Sequence, residues 1–264
     1  MTTQAPKKAL EGKVDLDATR ERLGRVGLYR VEERLDDLLT AAVKDEYSPH
    51  RFLDRLLDEE LAFRDERRIR ISLRLSGLPT GQTLGNFDFG FQPSVERSRI
   101  ETLATCSWIR EKLTLLMQGP PGVGKTHLAI ALGVRAVENG FSVAFFRLEE
   151  LLAAMRRDAG MAPSRLRRRK YVNVALLIID EMGFEPMTRQ DASLFFRLVS
   201  YRYGRGSVLI TTNKGIKDWP ELLAGDEVLA TAILDRLLHH SHVLDIKGRS
   251  YRLRDLERAA TARG

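Results

Sequence analysis

Leu113–Leu132 reads LTLLMQGPPGVGKTHLAIAL, and its central octet decides how the rest of the chain is read. Gly119, Pro120, Pro121, Gly122, Val123, Gly124, Lys125 and Thr126 fill the phosphate-loop pattern G-x-x-x-x-G-K-[ST] without a mismatch. The residue types follow from the chemistry of an anion cradle. Glycines let backbone N–H groups turn inward where a Cβ would obstruct them. A lysine at 125 reaches the β- and γ-phosphates of a nucleoside triphosphate, and a threonine at 126 ligates Mg²⁺. The helix starting there aims its positive end at the phosphates. The flanks agree. Leu113, Leu115, Leu116 and Met117 form an apolar strand before the loop, and Leu128, Ala129 and Leu132 give the next helix an apolar face. The stretch predicts a nucleotide site.

Composition sets the outer limits. The 264 residues suffice for one ordinary domain plus a smaller one, and 43% hydrophobic content supports a core. No apolar run approaches the roughly 20 residues of a membrane helix. The opening MTTQAPKKALEGKVDLD lacks the apolar segment of a secretory signal. No membrane association is therefore expected. Cys106 is the single cysteine, which excludes an internal disulfide and suits a reducing cytoplasm. The chain carries 43 basic against 36 acidic residues, for a net charge of +7. That balance points to a polyanionic partner, most often nucleic acid, although a solvated basic surface has the same signature.

Working outward toward the N-terminus, residues 1–20 are polar and read as a flexible tail. Leu28, Val31, Leu35, Leu38, Leu39 and Ala42 then recur at helical spacing. Ser48-Pro49 reads as a helix start, and Phe52, Leu53, Leu56, Leu57 and Leu61 carry that helix's apolar face. Together they predict a small helical N-terminal domain over 21–80. Arg64, Arg67, Arg68, Arg70 and Arg74 follow, either as a solvated face or as a phosphate-contacting rail. A Gly-rich linker is expected over 81–94, where Phe87, Phe89 and Phe91 alternate as in an edge strand or an aromatic clamp, either packing against the next domain or cradling an adenine. A helix over 95–111 leads into the phosphate-loop strand.

Toward the C-terminus, strand and helix signals alternate, which predicts a doubly wound α/β domain with a parallel sheet over 95–258. Strands are expected at 142–146, 174–179 and 207–212, with a short fifth at 243–246. Helices are expected at 148–158, 189–203 and 228–240. Val174–Ile179 has no polar alternation, as a central strand covered on both faces should not. Asp180-Glu181 ends that strand and so points into the crevice where such sheets bind ligands. Asp180 is placed to hold Mg²⁺ and Glu181 to polarise an attacking water. Asn213, after Thr211-Thr212, either orients that water or simply forms a turn. Arg236 is either a salt-bridged surface residue or an arginine finger that reaches a neighbouring subunit's γ-phosphate. His239, His240 and His242 lack the cysteines and spacing of a zinc site. Arg165, Arg167, Arg168, Arg169 and Lys170 form a second basic cluster.

Several blocks together resemble one family. NFDFGFQPS (86–94), GPPGVGKTHLAIALG (119–133), LLIIDEMGFEP (176–186), TTN (211–213) and GDEVLATAILDRLLHHSHVLDIKGRSYRLRD (225–255) are similar to the IstB-like ATP-binding proteins. These are helper ATPases of bacterial insertion sequences, related to the DnaC helicase loader and the DnaA initiator within the AAA+ superfamily. The last block is the most diagnostic. The resemblance runs from about residue 25 to 258 and implies an α/β P-loop (AAA+) module behind a small helical domain. It makes Lys125 and Thr126 part of Walker A, Asp180 and Glu181 Walker B, Asn213 sensor 1 and Arg236 the arginine finger. Arg252 matches the place of a sensor 2, with the helical lid truncated after it. ATP and Mg²⁺ are the implied cofactors. The implied activity is ATP hydrolysis coupled to homo-oligomeric assembly on double-stranded DNA, in aid of a partner transposase and DNA transposition.

Three other readings compete. A helicase loader of the DnaC type shares every ATPase motif, but differs in the HHSHV region and in its N-terminus. A metabolic P-loop kinase needs no hydrolytic base such as Glu181 and does not explain the basic balance. A scaffold without turnover is at odds with an intact Lys125, Asp180 and Glu181.

Overall fold

The structure, a computed structural model, describes residues 15–254. Two compact units divide the chain after Arg68.

The first unit holds α1 (Leu16–Arg25), α2 (Tyr29–Glu33), α3 (Leu35–Lys44) and the start of α4 (Pro49–Ser76). The expected flexible tail over 1–20 is corrected in its last residues. Asp15 caps α1, its carboxylate accepting from the amides of Asp17 and Ala18 at 3.1 and 3.2 Å. Residues 1–14 lie outside the described part. The apolar pattern from Leu28 to Ala42 is not one helix, because Arg34 at φ −106°, ψ 15° separates α2 from α3. Val31, Leu35 and Leu38 on these two helices are buried. No side chain of its own caps α2. Instead Glu60 of α4, 2% exposed, accepts from the amides of Arg30 (2.9 Å) and Val31 (3.4 Å). A buried carboxylate thus satisfies donors that a helix start leaves open.

The second unit begins inside α4 and includes the segment read as a linker, 81–94, whose Phe87 and Phe89 pack against its core. Those residues form no strand; the two rings meet edge to face at 4.8 Å. The single helix expected over 95–111 is two, α5 (Arg97–Ala104) and α6 (Ser107–Arg110). Cys106, buried between them at φ 61°, breaks the helix that the apolar spacing alone would continue.

From there the chain alternates. β1 (Thr114–Gln118) runs through the loop to α7 (Lys125–Glu138), then β2 (Val143–Arg147) and α8 (Leu148–Asp158). Two short helices, α9 (Pro163–Leu166) and α10 (Lys170–Asn173), precede β3 (Leu176–Met182). α11 (Arg189–Arg202), β4 (Ser207–Thr212), α12 (Trp219–Leu222), α13 (Glu227–Leu238) and β5 (Ser241–Asp245) complete the unit. All strand pairs are parallel, in the order β2-β3-β4-β1-β5.

Alternate residues of each inner strand enter opposite apolar layers. Leu177 and Ile179 of β3 pack with α8, α11 and α13 on one face, while Leu176 and Ile178 pack with α5 and α7 on the other. All four are at most 1% exposed, and burial of each such side chain is worth roughly 1.5–3 kcal/mol. The sheet is therefore the middle layer of three, and its strand ends position the site. Among the described residues no helix is long and apolar enough to cross a membrane. The expected lid truncation falls beyond Arg254, outside the described residues.

Candidate functional site

The C-terminal ends of β1, β3 and β4 open on a cavity of about 290 Å³. The loop after β1 forms its floor. Gly124, at φ 96°, turns the chain into α7, so the first amides of that helix face the cavity. Pro121, Gly122 and Val123 also line it, with Val123 fully buried beneath. Gly119 and Pro120 act through their carbonyls. Both accept from Lys125 Nζ at 2.7 Å.

Lys125 is 9% exposed. Burial pulls its pKa below that of an ordinary lysine; nearby Asp180 opposes this and Arg252 adds to it. A cation held this way has two weak neutral acceptors where an anionic ligand would give it stronger ones. Arg252 lines the same cavity as Lys125.

Asp180 is 1% exposed at the end of β3 and accepts from Thr126 Oγ1 at 2.9 Å and from Thr211 Oγ1. A hydroxyl and a carboxylate oxygen are thus brought together beside the phosphate loop, as a hard divalent cation requires. Glu181 is the next residue, at φ 61°, where the register of β3 against β4 slips between Ile179 and Met182. The twist turns its carboxylate out of the sheet toward the cavity mouth. There it pairs with Arg147 Nε at 3.4 Å, while its amide donates to Thr211 Oγ1 at 3.0 Å. Asn213 lines the cavity just after β4, its Oδ1 buried without a hydrogen-bond partner among the described residues.

Arg236 lies elsewhere. It donates to the Ala232 carbonyl at 2.6 Å, stacks over the Phe196 ring at 5.0 Å, and borders a different cavity with Thr114 and Val208, where β1 and β4 begin. The five residues of β1, roughly 16 Å of strand, separate it from the phosphate loop of its own chain.

Three features escaped the sequence reading. Thr211 bridges the two acidic residues; the signal was its place at a buried strand end. Arg147 ends β2 directly opposite Asp180 in register, and a cation at the C-terminal end of the neighbouring strand was the available clue. The third is a strap over the phosphate loop, residues 246–254. The Tyr251 amide donates to the Gly122 carbonyl at 2.9 Å, and a Cβ on Gly119 would land on the Ile246 carbonyl oxygen. Gln92 and Ser94 fasten the strap, donating to the carbonyls of Arg249 (2.8 Å) and Lys247 (2.6 Å), and Arg254 pairs with Asp88. The block 86–94 and the C-terminal block are thus two halves of one clasp.

Solved structures share the fold over much of this chain. DnaA from Aquifex aeolicus, solved with bound AMPPCP, aligns at TM-score 0.52 and 19% identity, over 70% of this chain and 56% of its own. Domain III of DnaA from Thermotoga maritima aligns at 0.51 and 21%, over 64% and 68%. The fold is that of an α/β P-loop NTPase. In sequence the chain is similar to the ATP-binding protein of insertion sequence IS21 from Pseudomonas aeruginosa, 44% identical over 90% of this chain and 89% of the relative. The corresponding protein of IS5376 from Geobacillus stearothermophilus is 40% identical over 88% and 92%. Residues 21–259 match the family described as IstB-like ATP binding protein, and to that family, as its motifs suggested, this chain belongs.

Proposed function

We propose that this chain is a DNA-binding ATPase that assembles on duplex DNA with ATP and assists a transposase in target selection. The observation that carries the hydrolytic part is the convergence of Lys125, Thr126 and Glu181 on one cavity, with Asp180 bonded to Thr126 behind it. Lys125 exchanges its two loop carbonyls for phosphate oxygens. Thr126 and Asp180 would hold Mg²⁺, which would supply positive charge to neutralise the phosphates. Glu181, released from Arg147, accepts a proton from the attacking water, and Asn213 orients that water through its unpartnered oxygen. Arg252 joins Lys125 against the triphosphate.

Arg236 points to homo-oligomers. It is too far from its own phosphate loop to act there, so its catalytic use requires a neighbouring copy. The insertion-sequence relatives support the transposase as partner, and the basic balance supports DNA bound through its backbone. Buried Cys106, its thiol pushed up by burial, suits a cytoplasmic protein.

Gel shifts on duplex DNA test the proposal. Lys125→Ala should abolish ATP-dependent complexes, and Glu181→Gln should bind ATP, hydrolyse it slowly and prolong them. Complexes that ignore ATP in the wild type would sink the reading. Coprecipitation with the replicative helicase, and not with the transposase of the neighbouring reading frame, would move the chain to helicase loading.

A further inference from the structure

Away from the nucleotide cavity, α8, α9, α10 and α11 enclose a second one, of about 220 Å³. Met155, Leu166, Leu194 and Leu198 line it with the rings of Tyr171 and Tyr201. Two arginines stand at its rim, Arg167 and Arg197, both exposed. Neither side chain forms an ion pair or hydrogen bond among the described residues.

The carboxylates of this region are already committed. Asp158, 7% exposed in the cavity wall, accepts from the Tyr171 hydroxyl and from Arg169, each at 2.8 Å. Asp191, between α8 and α11, is held by both oxygens on Arg156 at 2.9 Å and by Thr188 at 2.7 Å. The basic cluster 165–170 therefore splits by role. Arg169 holds Asp158, and Lys170 donates to the Leu75 carbonyl at 2.8 Å. Arg165, Arg167 and Arg168 stay exposed, with no acidic partner among the described residues. An apolar hole with a fixed wall is left inside an uncompensated positive field.

We infer that this cavity docks a short segment of a partner protein, one apolar side chain in the hole flanked by carboxylates that pair with Arg167 and Arg197. Charge selects the occupant. An acidic flank meets two cations, and the carboxylate in the lining, Asp158, is already paired with Arg169 and Tyr171, whereas a basic segment is repelled. The apolar lining argues for protein over nucleic acid, because a phosphate backbone gains nothing from six apolar or aromatic walls. Asp158 serves as a positioning residue. Its bonds to Tyr171 and Arg169 fix the wall before anything binds, which reduces the ordering cost of association. The inference needs neither hydrolysis nor assembly on DNA.

The test is selection of short random peptides on the full-length protein, followed by fluorescence anisotropy of the enriched sequences. The expected peptides carry a leucine or phenylalanine between aspartates or glutamates. Ala159→Trp, which fills the cavity from its exposed edge, and Arg197→Glu, which reverses the rim, should each weaken them by about tenfold or more. ATPase activity and duplex retention should stay at wild-type level in both variants. Enriched peptides without carboxylates, or binding indifferent to Ala159→Trp, would overturn the inference. So would loss of duplex binding in these variants with no peptide enriched, since the surface would then belong to nucleic acid.

Discussion

Lys125 and Arg202 are both buried cations, 9% and 2% exposed, and both direct their hydrogen bonds to backbone carbonyls. Lys125 holds two, in a loop that borders an open cavity and faces Asp180. Arg202 holds five, from Tyr171, Val172, Val174, Ala175 and Ser207, at 2.7–3.4 Å. No carboxylate pairs with it among the described residues, and burial lowers its pKa to about 10. The difference lies in what each set of carbonyls belongs to. Those around Arg202 lie where β3 and β4 begin, so the arginine staples together the N-terminal ends of two inner strands. Those around Lys125 belong to a loop that a ligand can relieve. A buried cation tied to a framework is structural, and one tied to a cavity wall is available.

The largest expected effect separates binding from stability at Lys125. Lys125→Ala should weaken ATP by at least about a hundredfold, the loss of two charge-assisted hydrogen bonds to phosphate. Unfolding in urea should change by no more than about 1 kcal/mol, since a costly buried charge leaves with the bonds. A titration with a fluorescent ATP analogue and a urea melt check the two halves. Arg202→Leu should do the converse. It strands five carbonyls and should cost about 3 kcal/mol in urea, while the protein that remains folded keeps its ATP affinity. If both variants lost affinity and stability together, the distinction would collapse.

Gly119→Ala comes next, because its φ of 153° and the Ile246 carbonyl both oppose a side chain. A loss of about 2 kcal/mol in thermal or urea melts is expected, with weaker nucleotide binding as the strap shifts. The pH dependence sharpens Lys125 itself. Nucleotide affinity needs the charged lysine, so it is full below the free-protein pKa and falls as pH rises through it. Burial sets that pKa below the ordinary lysine value, so the fall should begin at lower pH than an exposed lysine would give. Lys125→Arg should remove this alkaline limb in the same titration. The smallest effect belongs to an exposed cation. Arg147→Ala breaks a pair whose side chains are 62% and 37% exposed, and stability should move by no more than about 0.5 kcal/mol.

The phosphate loop and the Asp180-Glu181 strand end were legible because their chemistry is local. A cradle needs its glycines within eight residues, and a strand buried on both faces announces itself as VALLII. The helix over 148–158 and the strand over 207–212 could be bounded for the same reason. What escaped depended on contacts between distant segments. Cys106 breaks a helix whose apolar spacing is uninterrupted, and α1 is too polar to stand out by periodicity. Its capping residue, Asp15, was the one local mark. Arg202 looked like any arginine at the end of a helix, because nothing near it in sequence says it is buried. The clasp between 86–94 and 246–254 joins blocks about 150 residues apart, a range over which spacing carries no information.

The strand order has a consequence for how the protein is made. β1 carries the phosphate loop, yet its neighbours in the sheet are β4 and β5, both encoded well after it. During synthesis the chain up to α11 contains the loop and both acidic residues but not the strands that hold β1 in place. Long-range parallel pairing is slow to form and exposes apolar edges until it closes. The nucleotide cradle is thus among the last parts to assemble, and a ribosome-bound chain that has emerged only through β3 should not bind ATP.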